Sequence, residues 1–430
     1  VQDQTTPTSE ANAVVSVSGS IGDLRYVYVD ATKTQYSGLG NETITVTDQT
    51  ADVADLLAIG ASVNQQVTVN ALSISGTGIN LANLYVTVAT DATKYLNLGD
   101  ETIAVTGIAS ATDVNAVANK TVGKVTATVA GAAGSSLVSA LVNANGVDEL
   151  TLTVLAEASG ATTQAADLRA LDGKTSLVIH AATVFDVVQG QTTPAPEANA
   201  VVSVSGSIGD LRYVYVDQTS AHYSGLGNET ITVTDQSVDA ADLLAIGASV
   251  NQQVTVNALS ISGSMANLVS LYATVGTLSP KYLNLGNESV SVSGTTSVAS
   301  LNSVDAKTTG VIEASVTSTA ADLITLTGID NNYTVTITDD ASIANLTYID
   351  NATTGEIKYS VVKDTAINLE ADALTHAGTG TYLTTSKNVT VTDQATVQQL
   401  REIDSAAGNV KLFGICDAVE NLFDLSQAND

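Results

Sequence analysis

Residues Val389–Ile403 read VTVTDQATVQQLREI, and the two halves of that stretch keep different periods. Val389 and Val391 alternate with Thr390 and Thr392, the pattern of a half-buried β-strand. Beyond Asp393 the period changes. Val397, Leu400 and Ile403 recur every three residues, which puts them on one face of a short helix. A strand, a polar corner and two helical turns make a unit too small to bury its own apolar side. Such a unit becomes stable when copies stack on it.

Working outward, the same pattern recurs. Strands alternate before a corner in VSVSG (15–19), ITVTD (44–48), LSISG (72–76), VSVSG (290–294) and TVTITD (334–339). Leu, Ile or Val at helical spacing follows, as in Val53/Leu56/Ile59, Leu168/Leu171 and Ile343/Leu346/Ile349. Corners counted in this way number sixteen, from Gly19 to Asp417, spaced 21 to 31 residues apart. Glycine at a corner relieves the backbone where it turns, and Asp, Ser or Thr there or just beyond can cap the helix. The longer units carry an extra motif before the strand, YSGLGNE (36–42, 223–229) or YLNLGDE/YLNLGNE (95–101, 282–288), read as a loop projected from one edge.

A longer repeat overlies the short one. Asn12–Gly76 returns as Asn199–Gly263, offset by 187 residues, with seven of 65 positions changed (31, 33, 34, 35, 50, 51 and 53 of the first copy). Seven short intervals sum to that offset. The chain therefore reads as a polar lead-in (1–11), a first seven-unit module (12–188), a joint with two of the four prolines (189–198), a second module (199–385) and the start of further units (386–430). One strand per unit with a helical return implies parallel strands and right-handed crossovers. The expected fold is an α/β repeat, a solenoid of about sixteen strand–helix units. Tandem β-sandwich domains are the alternative; the absence of hairpin pairs such as Asn-Gly and the helical spacing after each strand weigh against them.

Composition fits thin stacked layers. Apolar residues make up 44% of the 430, but aromatics only 4%, so the core must be Val, Ile, Leu and Ala. Fifteen Lys and Arg against 44 Asp and Glu give a formal charge of -29, which repels nucleic acid and anionic membranes and attracts divalent cations. One Cys (Cys416) excludes a disulfide framework and a cysteine-ligated zinc site, and no apolar run is long enough to span a membrane. The chain starts at Val1, as a processed protein or a fragment would, and its last unit, VKLFGICDAVENLFDLSQAND, stays apolar almost to the end, where a solenoid ordinarily carries a polar cap.

Candidate sites are few. Asp48, Asp235, Asp339, Asp340 and Asp393, with Asp364 and Asp417, stand at corners where stacked turns could converge oxygens on calcium; helix capping is their plainer duty. Eight Asn-x-Ser/Thr sequons, Asn41 and Asn228 among them, are what a chain rich in Ser and Thr carries by accident. Thr-x-Thr pairs such as Thr390/Thr392 form an outward ladder like that of ice-binding solenoids, but too irregular a one. Tyrosine supplies 14 of the 17 aromatics, and several follow a helix leucine (Tyr26, Tyr85, Tyr213, Tyr272), for packing in the stack or between subunits. Three histidines (His180, His222, His376) lie far apart, and no nucleophile elbow, phosphate loop or paired-histidine motif occurs, so no enzymatic activity is expected.

The units ITVTDQTADVADLLAI (44–59), VTITDDASIANLTYID (335–350) and VTVTDQATVQQLREID (389–404) resemble tandem repeats of very large secreted and cell-surface proteins of bacteria, of the marine cyanobacterial type. That resemblance covers most of the chain. It implies a surface-layer, motility-associated or adhesive protein outside the cell, with no catalytic residues to carry over. The function expected is a structural protein that self-assembles into a surface layer, sheath or filament. Its partner is itself, with surface polysaccharide a further one. An adhesin stalk or virus-fibre spacer is the alternative, and ice binding a remote one.

Overall fold

The computed structural model describes residues 14–30, 36–90, 93–158, 161–182, 199–376 and 380–416. The lead-in, the proline-containing joint and Asp417 lie outside them. The chain is an α/β protein in which short strands alternate with short helices, and every described strand pair is parallel. It divides into two compact bodies, Val1–Thr232 with Ser249–Gln252 and Val233–Ala248 with Gln253–Asp430.

In the first body, Ser16–Gly19, Thr43–Val46, Val67–Val69 and Tyr95–Leu96 form one sheet. A second sheet runs through Thr50–Asp52, Ser73–Thr77, Thr102–Ala109, Val125–Val129 and Glu149–Thr151. In the second body, six strands from Ser237–Asp239 to Ile357–Lys358 form one sheet, and Val361–Asp364, Asn388–Val391 and Val410–Lys411 another. Registers put like on like: Ile74 on Ile103, Thr45 on Thr68, Ile261 on Val290 and Ser262 on Ser291. Parallel in-register stacking does this whenever neighbouring units share an alternation, so apolar residues line the interior and Ser or Thr the outside.

A helix begins after each corner read from the sequence, except those near Ala181 and at Asp417, which precede undescribed residues. The helices bury the spacing that predicted them: Val53, Leu56 and Ile59 in Val53–Ser62, Leu168 and Leu171 in Ala165–Asp172, and Val397, Leu400 and Ile403 in Val397–Ala406. No described helix is long and apolar enough to cross a membrane.

The expectation of one strand per unit is corrected. ITVTD at 44–48 and LSISG at 72–76 read as one position in successive units, but Ile44 pairs with Val67, and Ser73–Ser75 pair with Thr50–Asp52. The corner at Asp48 joins two strand segments, and only the second leads into the helix. VTV at 67–69 is too short for alternation alone to mark it as a strand. Two glycines read as corners serve another purpose: Gly107 and Gly294, with φ of +72° and +80°, sit where the register of their strands shifts by a bulge.

Candidate functional site

Each helix start leaves backbone N–H groups without intrahelical partners. Here two kinds of residue meet that need. The residue just before the helix caps it from within, as Ser20, Ser110, Ser207 and Ser342 do, and Thr396 forms a full capping box with Gln399. The corner aspartate of the following repeat supplies a second acceptor. Asp48 accepts from Ile21 N; Asp339 accepts from Ala320 N at 2.7 Å, Asp364 from Ile343 N at 3.0 Å and Asp393 from Ala366 N at 2.7 Å. Capping is thus the duty of these aspartates, but the helix capped belongs to the preceding repeat. A local caps rule read along the sequence cannot see a contact that crosses repeats.

Asp235 holds the position equivalent to Asp48, and Asp340 lies 3.7 Å from Lys363. Apart from the adjacent Asp339 and Asp340, each corner aspartate stands in a repeat of its own. Among the described residues no group of three or more His, Cys, Asp or Glu side chains is placed to hold a metal ion.

The motif read as a projecting loop is instead pinned inward. Glu42, Glu101, Glu229 and Glu288, its last residues, are buried. Glu42 accepts from Gly40 N at 2.9 Å and Asn41 N at 3.0 Å, and Glu229 repeats this with Gly227 and Asn228 at 2.9 and 3.0 Å. Glu101 and Glu288 take Gly99 N at 2.7 Å and Gly286 N at 2.8 Å, and Tyr272 donates its hydroxyl to Glu288. Burial opposes ionisation of Glu42, but Tyr28 and the backbone N–H groups of the loop outweigh it and lower its pKa. The loop carries positive-φ glycines, Gly38 and Gly40, as the fold-back onto its own glutamate requires. In the other version of the motif Asn97 and Asn284 take the place of Gly38, at φ of 62° and 63°, and Gly99 and Gly286 that of Gly40.

The tyrosine that opens the motif anchors its other end. Tyr95 and Tyr282 reach a helix of the preceding repeat and donate to Leu56 O and Leu243 O at 3.3 and 3.2 Å. A Cβ on Gly60 or Gly247 would collide with those phenols, so glycine at these helix positions makes room for them. Burial pushes the Tyr95 hydroxyl up to about 12.

Other ties of the same kind carry no motif singled out from the sequence. Thr121, Thr308 and Thr353, each two residues before a glycine, donate buried hydroxyls to Glu101 O, Glu288 O and Tyr333 O at 2.8, 3.1 and 2.9 Å. The recurring T-x-G triplet was the available signal. Asparagines also pair across repeats: Asn64 with Asn41, Asn97 with Asn70, Asn251 with Asn228 and Asn409 with Asn388. Three of these acceptors, Asn41, Asn228 and Asn388, are sequon asparagines.

The histidines are not brought together. His180 lies 3.1 Å from Ser224 Oγ, and His376 is exposed beside Thr375. His222 Nδ1 lies 2.6 Å from Asp172, which also accepts from Tyr213 OH, while Arg169 stacks on the Tyr213 ring and pairs with Asp210 at 2.9 Å. These residues fasten the helix Ala165–Asp172 to the first repeat of the second copy. Open grooves of about 520 and 570 Å³ lie between Asn70–Leu72 and Asn97–Asp100, and between Asn257–Leu259 and Asn284–Asn287, one in each body and related by the 187-residue offset. Their side chains are neutral apart from Asp100. Compared with protein-family models, curated proteins and solved structures, the chain matches none.

Proposed function

We propose that this chain is a β-solenoid of about sixteen strand–helix units and an extracellular structural repeat protein, one that self-assembles into a surface layer, sheath or filament and has no catalytic activity. One observation carries the reading: the polar side chains are spent on joining one repeat to the next. The corner aspartates cap helices of the preceding repeat, and buried threonines and asparagines bond across repeats. A chain built in this way has its chemistry committed to stacking, which suits a material rather than a reaction. The acidic surface, at a net charge of -29, favours divalent cations as bridges between subunits, calcium among them. The test is sedimentation and negative-stain imaging of the purified chain with and without calcium. Assemblies that grow with concentration are expected, and strictly monomeric particles under both conditions would overturn the reading.

A further inference from the structure

One groove, present once in each body, keeps hydrogen-bonding groups that no described repeat uses. In the second body it lies between the corner at 257–259 and the loop at 284–287 of the next repeat, with a volume of about 570 Å³. Asn284 Nδ2 donates to Asn257 Oδ1 at 3.2 Å. That bond holds the two amides side by side. It leaves both side-chain N–H groups of Asn257, one of Asn284 and the Asn284 Oδ1 without a partner among the described residues. Leu259, in the same groove, is 66% exposed.

The lining narrows the ligand by its chemistry. No ionisable side chain lines the groove, although the whole chain carries a charge of -29, so it offers no carboxylate to a metal ion. Its loop N–H groups are closed to an outside anion, because Gly286 N and Asn287 N donate to the buried Glu288 carboxylate at 2.8 and 3.1 Å. A peptide finds no strand edge here either. Asn257 N donates to Val233 O and Leu259 N to Gln236 O, so these backbone donors are taken within the stack. What the groove presents is neutral amides, which donate and accept at once, beside an exposed leucine. Hydroxyl groups on one side and C–H groups on the other, as a neutral sugar carries them, meet that combination.

The first body repeats the arrangement at 70–72 and 97–100. Asn97 Nδ2 donates to Asn70 Oδ1 at 3.1 Å, Gly99 N and Asp100 N donate to Glu101, and Leu72 is 65% exposed. Asp100 stands there in place of Asn287. We propose that each groove binds a neutral polysaccharide, its hydroxyls paired with the asparagine amides and its apolar face set on Leu72 or Leu259. Two copies of one groove in a single chain suit a ligand that itself repeats. The proposal goes beyond self-assembly and does not depend on it, since a monomer carries both grooves.

The full chain, applied to an array of neutral and acidic polysaccharides at low and high salt, tests it. Retention on at least one neutral polysaccharide is expected, unchanged by salt because no charge pair forms. With that polysaccharide added, hydrogen exchange of the wild-type chain should slow at 257–259 and 284–287 and at 70–72 and 97–100. Removing the amide pairs in one variant, by Asn70→Ala and Asn257→Ala with Asn97→Gly and Asn284→Gly, keeps glycine where φ is 62° and 63°. Its affinity should fall on the order of tenfold, as loss of a few hydrogen bonds to a ligand does. A chain that binds no neutral polysaccharide, or acidic ones alone, would overturn the proposal. So would protection confined to other segments, or a variant that binds as wild type does. None of these outcomes decides whether the chain assembles, which sedimentation reads separately.

Discussion

The segments 14–30 and 201–217 have the same sequence, residue for residue, yet different surroundings. Val14 is 58% exposed and its counterpart Val201 2%; Tyr36, just beyond, is 44% exposed and Tyr223 4%. The difference comes from what lies against each copy. Helix Ala165–Asp172 packs on the second copy and takes Tyr223 into a hydrogen bond, and no described repeat does this for the first. Sequence therefore specifies the unit, but burial belongs to the pair of units, which is the physical content of a repeat protein's nearest-neighbour stability.

The sharpest way to break this comparison is to make one change in both copies. Tyr223→Ala should cost about 3–5 kcal/mol, as large-to-small changes at buried aromatics do. Tyr36→Ala should cost under about 0.5 kcal/mol, the usual range for exposed positions. Urea denaturation of the two variants checks the difference, and equal losses would mean that the first copy is covered after all.

A second contrast lies inside the repeats. Ala51 and Val53 of the first copy become Val238 and Ala240 of the second, an exchange of one valine and one alanine between neighbouring buried positions. At Gly76, with φ of +149°, an added Cβ would collide with Val53, whereas at Gly263 it would stand 3.1 Å from the smaller Ala240. Gly76→Ala should therefore destabilise by about 1–3 kcal/mol, as overpacking does, and by more than Gly263→Ala. Val53→Ala in the same chain should recover part of the loss at Gly76. Thermal unfolding of the single and double variants reads out the coupling.

Acid should loosen the first copy through its buried carboxylate. Because the folded pKa of Glu42 lies below the ordinary 4.5, its ionisation stabilises the fold fully above that value and loses this effect as pH falls through the lowered one. Glu42→Gln should cost about 1–3 kcal/mol at neutral pH, since Gln cannot accept all the bonds that converge there. It should also flatten the acid limb of stability against pH, measured by denaturation at stepped pH.

A smaller loss than at Glu42 is expected at His222, which stands where the first copy has Gln35. His222→Gln restores the first copy's residue and removes the contact to Asp172, at about 0.5–1.5 kcal/mol for a single partly exposed bond. Hydrogen exchange localised to the helix Ala165–Asp172 would detect it even where global unfolding does not.

Much of the architecture was legible. Alternation in ITVTD and spacing in Val397/Leu400/Ile403 gave strand and helix because burial on one face selects period 2 or 3.6 locally. The sequence by itself determined the strand–helix alternation, the parallel pairing and the 187-residue duplication. Only the tertiary structure decided how consecutive strands interleave, that Asp393 caps the helix at Ala366, and that Glu42 turns inward, not out with a projecting loop. The strand pairing and the aspartate caps depend on residues some 20 to 30 positions away, brought level by the stacking, whereas Glu42 is held by Gly40 and Asn41 beside it. A period read along the chain records which face a residue takes, and it carries no information about the neighbour that the next turn of the chain sets against it.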